Sequence, residues 1–320
     1  MQNSDNVVLN RESVACDLCG SVDASHLFLG RDYRFARKEE YRFVQCHGCG
    51  LTYLSPRPTQ EAMMRLYEED YLGGEPEVTW EAASVPAWKA ALKTIWHKVD
   101  GQLHEEVLQK VHGRVLDIGC GAGNLMDLLK RSGCDVYGIE PNPNSVMICN
   151  GRGVKKISSS LEAADFPNGL FDYVVMSHVI EHLPSPKRTL TEVRRILRPR
   201  GQVLIFCPNA DSYLRRLFGK YWHGWHIPFH FHVFSRHTLA RLAEEAGFIV
   251  ASVRAVTPGS CFWTSSKSYL YGDSECGRPI DRGPWLDKLI FRVPVALVLR
   301  LLDGVFGLHA DCLDAELTKP

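Results

Sequence analysis

Apolar positions change period in a regular order along the chain. Val115, Leu116 and Ile118 suit a short buried strand, Gly119, Cys120, Gly121, Ala122 and Gly123 break the run, and Leu125, Leu128 and Leu129 then recur at helical spacing. Gly133 follows that helix, and Val136 to Ile139 make a second apolar strand ending at Glu140. Further strands are predicted at Val154 to Ile157, Tyr173 to Met176, Val203 to Cys207 and Phe248 to Val256. Helices alternate with them through TLTEVRRILRP and from Ser235 to Ala246, where Gly247 stops the second. This order predicts an α/β fold with a doubly wound, mostly parallel sheet. Trp88 to Val111 also has helical spacing and is expected to flank the sheet, whereas Gly73 to Val85 reads as a loop. Trp80, Trp88 and Trp96 are read as packing residues.

The glycine turn lies between a strand and a helix, where backbone can approach a ligand closely and the helix start offers unpaired N–H groups. The dinucleotide pattern G-x-G-x-x-G needs a third glycine at position 124, which is Asn124; instead Asp117 precedes Gly119, Gly121 and Gly123. An acid there opposes a pyrophosphate and suits a ligand with a cationic end. In this fold, an acid ending the second strand can hold the two hydroxyls of a ribose. The form D-x-G-x-G-x-G with Glu140 resembles the class I S-adenosylmethionine-dependent methyltransferases. The resemblance implies that Asp117, Gly119, Cys120, Gly121 and Gly123 approach the methionine portion of that cofactor and that Glu140, followed by Pro141, meets its ribose. It also implies adenine contacts from Ser160, Leu161 and Glu162. After the fourth strand, YVVMSHVIEHLPSP resembles the family segment running beneath the cofactor toward the substrate, with His178 and Glu181 as candidates. Glu181 and His182 equally suit the positive end of a helix start. Asp172 is as well read as a residue that fixes its loop.

Two C-x-x-C pairs, Cys16 with Cys19 and Cys46 with Cys49, each precede a glycine. Four thiolates complete a closed tetrahedral zinc site with no place for a catalytic water, and the short strands between the pairs suit a ribbon that needs the ion. A redox pair would occur once, before a helix, rather than twice. His26 and His47 are read as surface residues. With the segment YLSPRPT, the paired knuckles look like the zinc-ribbon branch of these methyltransferases, similar to enzymes acting on sugars and related metabolites. The expected organisation is a zinc ribbon at 1–58, a helical linker at 59–112, a cofactor-binding domain at 113–256 and a C-terminal amphipathic, helical extension at 257–320.

The segment WHGWHIPFHFHVFS holds His223, His226, His230 and His232. A metal site there lacks an acid at a recognisable spacing. The run Pro228, His230, Phe234, Ser235 resembles a segment of the zinc-ribbon branch in which the histidine serves as base, which implies that role for His230 and a helix cap for Ser235. Those relatives carry Tyr-Glu where this chain has Pro228 and Phe229, so their substrate does not transfer. Residues 285–308 form an amphipathic stripe with Lys288, Arg292, Arg300 and Asp303. Covering the sheet is the preferred reading, and peripheral contact with a membrane is the alternative.

The 320 residues balance 37 Lys and Arg against 37 Asp and Glu, so no basic field points to nucleic acid. The first residues lack a secretory pattern, and with two metal-type pairs among 11 cysteines no structural disulfide is expected. A cytoplasmic location follows, with the inner face of the membrane as the alternative site. The expected function is methyl transfer from S-adenosylmethionine to a small-molecule or glycan-like acceptor. A non-catalytic binding module and an NAD-dependent dehydrogenase or epimerase are the competing readings.

Overall fold

The computed structural model describes residues 10–33, 37–72, 110–150, 156–272 and 289–320. Its strands in chain order are β1 (Arg11–Glu12), β2 (Ala24–Arg31), β3 (Glu40–Cys46), β4 (Thr52–Leu54), β5 (Arg57–Pro58), β6 (Arg114–Ile118), β7 (Asp135–Ile139), β8 (Lys156–Ser158), β9 (Phe171–Ser177), β10 (Leu197–Pro208), β11 (His232–Val233), β12 (Ile249–Val256) and β13 (Cys312–Thr318). The main sheet runs β12-β13-β10-β9-β6-β7-β8. Neighbours from β10 to β8 are parallel, as the alternation of strands and helices requires. Val115, Leu116, Val174, Val175 and Met176 are all buried, so both faces of the centre are covered. Helix Asn124–Arg131 buries Met126 and Leu129, and helix Pro186–Ile196 buries Leu190, Val193 and Ile196.

The C-terminus departs from the expected helical extension at 257–320. Cys312–Thr318 is a strand inserted antiparallel between β10 and β12, so the boundary at 256 cuts through the sheet. Leu313, Ala315 and Leu317 alternate and are buried, a weak period-2 signal, while Asp314 pairs with Arg254 at 2.8 Å. Helix Leu289–Phe306 precedes it. Ala296 and Leu299 pack inward, and Arg300 and Asp303 turn toward Thr257 and Tyr213. The exposed residues include Leu297, Val298, Leu301 and Val305, so two of the charged residues of the stripe serve the packed side. No helix among the described residues is long and apolar enough to cross a membrane.

The N-terminal strands form a second sheet of order β11-β4-β3-β2. Its fourth member comes from the histidine-rich segment: His232 is opposite Tyr53, and Val233 is opposite Thr52. The ribbon therefore holds that segment by backbone pairing, reinforced where Leu54 N–H donates to the Phe231 carbonyl at 2.9 Å. Helix Gln60–Leu72 lies within the expected linker. The flank from Trp88 to residue 109, the loop 73–85, Trp80, Trp88 and Trp96, Val154, and positions 285–288 of the stripe lie outside the described residues.

Candidate active site

The glycine turn leaves the carboxyl end of β6 between strands that are continuous on both sides. Gly119 has φ 73°, and a Cβ there would lie 2.4 Å from Val179 Cγ2. Glycine is thus what lets the segment after β9 close over the turn. At Gly121, φ is 52° and a Cβ would meet nothing within 4 Å, leaving open space above the backbone. Glu140 reaches this turn from the end of β7: its Oε2 accepts the Gly121 N–H and its Oε1 accepts the Asn142 N–H, both at 2.8 Å. Burial raises the Glu140 carboxyl above its ordinary value against the pull of those two donors. Asp117 is buried, and its Oδ2 meets no hydrogen-bond donor among the described residues. Burial pushes its carboxyl well above the usual range, with the neighbouring Cys149 and Glu140 adding to it. A buried acid oxygen without a donor, an open backbone turn and a second acid beside it fit a ligand bearing an ammonium group and a ribose. S-adenosylmethionine has both.

The other cofactor candidates spread around this turn. Cys120 is buried within it and Pro141 is exposed beyond it. Ser160 caps helix Leu161–Ala164, its hydroxyl accepting the Ala163 N–H, while Leu161 is buried and Glu162 is exposed 3.6 Å from Arg188. Asp172 sits at the opposite end of the sheet, where it accepts the Arg114 N–H at 2.6 Å and pairs with Arg198; there it ties strands together.

After β9, His178 takes φ 55° and stands half-exposed, its Nδ1 3.3 Å from Oε1 of the fully buried Glu181. Burial lowers the His178 imidazole, but the hydrogen bond and charge of Glu181 outweigh it, and the net shift is upward. Phe231 N–H donates to the Glu181 carbonyl at 2.9 Å, so the histidine-rich segment also holds this turn. His230 lies behind the pair, with Nε2 3.9 Å from Glu181 Oε1. It is buried, and burial together with His182 and His226 pushes its imidazole well below the ordinary value. His232 is buried in the strand pairing and lowered to about 3, first by burial and then by Arg57. His182 was less visible in the sequence. Its sequence position suggests only a helix-start residue, and the fold brings it to His226 and His230. Ser235 caps its helix through Thr238, as expected.

Cys16, Cys19, Cys46 and Cys49 converge, with Sγ atoms 3.4 Å apart between Cys16 and Cys49 and between Cys19 and Cys46. Gly20 and Gly50 N–H groups donate back to the Cys16 and Cys46 carbonyls, closing each knuckle. Four sulfurs at this spacing can hold one tetrahedral ion. His26 and His47 are exposed, and His47 pairs with Asp23 at 3.1 Å.

Comparison with known proteins agrees with this geometry. The chain is 29% identical over 106 residues to a ubiquinone biosynthesis O-methyltransferase of Pectobacterium atrosepticum, covering 31% of this chain and 44% of the relative. It is 29% identical over 158 residues to a protein of the same name from Thiobacillus denitrificans, covering 45% of this chain and 68% of the relative. The chain thus spans less than half the length of the first curated relatives it matches. The solved structure of the cyclase SpnF overlays with a TM-score of 0.50 at 17% identity, covering 82% of this chain and 97% of that one, a likeness of fold alone. The family model for the methyltransferase domain matches residues 92–253, from before the glycine turn to β12. With the turn, its two acids and the sheet order in place, this match establishes that the chain belongs to the methyltransferase-domain family.

Proposed function

We propose that the protein transfers a methyl group from S-adenosylmethionine to a small-molecule acceptor, with oxygen as the favoured accepting atom. The observation that carries this reading is the buried Asp117 oxygen without a donor beneath an open glycine turn that Glu140 braces. Asp117 would receive the ammonium of the cofactor and Glu140 its ribose hydroxyls. Each Glu140 oxygen keeps a lone pair after accepting its backbone N–H. When bound, the cofactor supplies a methyl group on a cationic sulfur. The chain's own residues then have two tasks, holding the acceptor in line and taking its proton.

The proton falls to His178 in this reading. Its Nδ1 faces Glu181 at 3.3 Å, which puts Nε2 on the far side of the ring, and it is the half-exposed member of the histidine group at the cofactor edge. In that role His178 would take the proton of the acceptor oxygen, while the cofactor, held by Asp117 and Glu140, would supply the methyl group and keep the electron pair of its sulfur. His230, for which the family resemblance implied the base role, is enclosed and held neutral, so we assign it support behind the pair. Preference for oxygen is supported by the similarity to O-methyltransferases; a glycan-like acceptor remains within the same small-molecule class. The zinc reading of the four cysteines is also a proposal, supported by their convergence, and it makes the ribbon a structural platform for the segment that braces Glu181. Balanced charge supports an acceptor other than nucleic acid.

The deciding experiment is calorimetric binding of S-adenosylmethionine and of NAD to the full chain, followed by transfer of labelled methyl into a metabolite extract. Binding of the first ligand and a labelled small molecule are expected. NAD binding without S-adenosylmethionine binding would sink the proposal, and cofactor binding with no transfer into any acceptor would favour a non-catalytic module.

A further inference from the structure

Behind the cofactor edge lies a group of side chains that proton transfer by His178 does not use. His182 belongs to the turn after β9, whereas His226 and His230 belong to the segment that β11 anchors on β4, and one ring nitrogen from each lies within 4.8 Å of the others. Two of these rings are oriented by backbone. His230 Nδ1 is 2.8 Å from the Gly224 carbonyl, and His182 Nδ1 is 3.0 Å from the Phe229 carbonyl with the Tyr67 hydroxyl at 3.1 Å. A carbonyl only accepts, so both rings carry their proton on Nδ1 and present the Nε2 lone pair. Fixing the far nitrogen in this way is the outer-shell arrangement of metal-bound imidazole. The carboxyl of Glu181 stands beside them, its Oε1 3.9 Å from His230 Nε2 in a fully buried position.

We propose that His182, His226 and His230 bind one divalent first-row ion of the zinc and cobalt class, with Glu181 as the neighbouring anion that offsets its charge. Imidazole nitrogens hold such ions at about 2.0–2.1 Å, so the three must draw together by roughly 1 Å. His182 and His226 are only partly buried. A cleft lined in part by Tyr33, Lys220, Tyr221 and His223 is bounded by one member of the group, His226. The site is distinct from the cysteine cluster in both residues and ligand chemistry: nitrogen donors replace sulfur.

The test is a titration of the full-length protein, with its cysteine site already loaded with zinc, by Co2+ followed by absorbance. The expected result is one further equivalent showing the weak visible bands of a nitrogen- and oxygen-bound ion, without thiolate-to-cobalt charge transfer. His182→Asn and His226→Asn should each weaken that equivalent by at least roughly tenfold, a loss that even outer-shell changes can reach. His226 is partly exposed, so its variant remains informative if a change at buried His230 prevents folding, and thermal unfolding checks each variant. The proposal is overturned if no second equivalent binds, if the only cobalt taken up shows thiolate bands, or if both folded variants retain the second equivalent unchanged. The titration needs neither cofactor nor acceptor, so its failure leaves the methyl-transfer reading untouched.

Discussion

Asp117→Asn should move stability and cofactor affinity in opposite directions. In the unliganded protein the Asp117 carboxyl is buried, its Oδ2 lacks a donor among the described residues, and Glu140 is a like-charged neighbour. Leaving such a group unsatisfied costs about 1–3 kcal/mol. The amide removes the charge at nearly the same volume, so the unliganded variant should be more stable by up to about that amount, or roughly 2–4 °C in Tm for each kcal/mol. The sign follows from proton linkage. The folded-state pKa is raised, so as pH falls the folded chain takes up the proton first. The penalty is complete above the raised value and disappears below the ordinary carboxylate range. The stability gap between variant and parent should therefore widen with rising pH across that window. Affinity should change the other way. A charged hydrogen bond of about 1.5–3 kcal/mol to the cofactor ammonium is lost, which is roughly tenfold to a hundredfold in Kd. Thermal unfolding across pH, with and without S-adenosylmethionine, and calorimetry give both quantities. A variant that melts lower without ligand and binds the cofactor as tightly as the parent would mean that Asp117 is an ordinary structural residue.

Four further outcomes are expected. Glu140→Ala should weaken S-adenosylmethionine binding by roughly 1–3 kcal/mol, since it removes the proposed ribose acceptor and frees the Gly121 and Asn142 N–H groups that brace the turn; calorimetry on a folded variant with undiminished affinity would exclude it. Glu181 raises His178, which must be neutral to accept a proton, so the acid limb of kcat/KM should lie above the ordinary imidazole value and Glu181→Gln should shift it to lower pH. A limb that stays in place would dissolve the pair, and His178→Ala should lower turnover by roughly 10² to 10⁴ with near-normal cofactor binding. Removing metal with a chelator should loosen residues 1–58 first, because the four cysteines hold a small ribbon, and should then release the β4–β11 pairing; proteolysis that spares the ribbon after complete metal removal would show that the ion does not support it.

Local signals were enough wherever neighbours in sequence are also neighbours in space. The run from Val115 to Glu140 contains a strand, its turn, its helix and the next strand, so periodicity and glycine placement alone located β6, helix Asn124–Arg131 and β7, with the two acids of the proposed cofactor site among them. The same holds within each C-x-x-C knuckle, where two sulfurs and a glycine lie within one turn. The parallel direction of β6, β7, β9 and β10 follows from the helical crossovers that parallel neighbours require. Tertiary structure decided what depends on partners far along the chain. β13 carries only a modest alternation of Leu313, Ala315 and Leu317, and it becomes a strand because β10 and β12 offer it hydrogen bonds on both sides. His230 and His232 have similar sequence surroundings, yet pairing of β11 with β4 places His232 opposite Tyr53 while His230 joins His182, which lies in the turn after β9. His178 is distinguished from the other histidines by its Glu181 partner together with its half-exposed position, and exposure is a property of the packed chain. Sequence alone thus determined the elements and the chemistry each one carries; long-range strand pairing and burial decided which of those groups meet, and in which charge state.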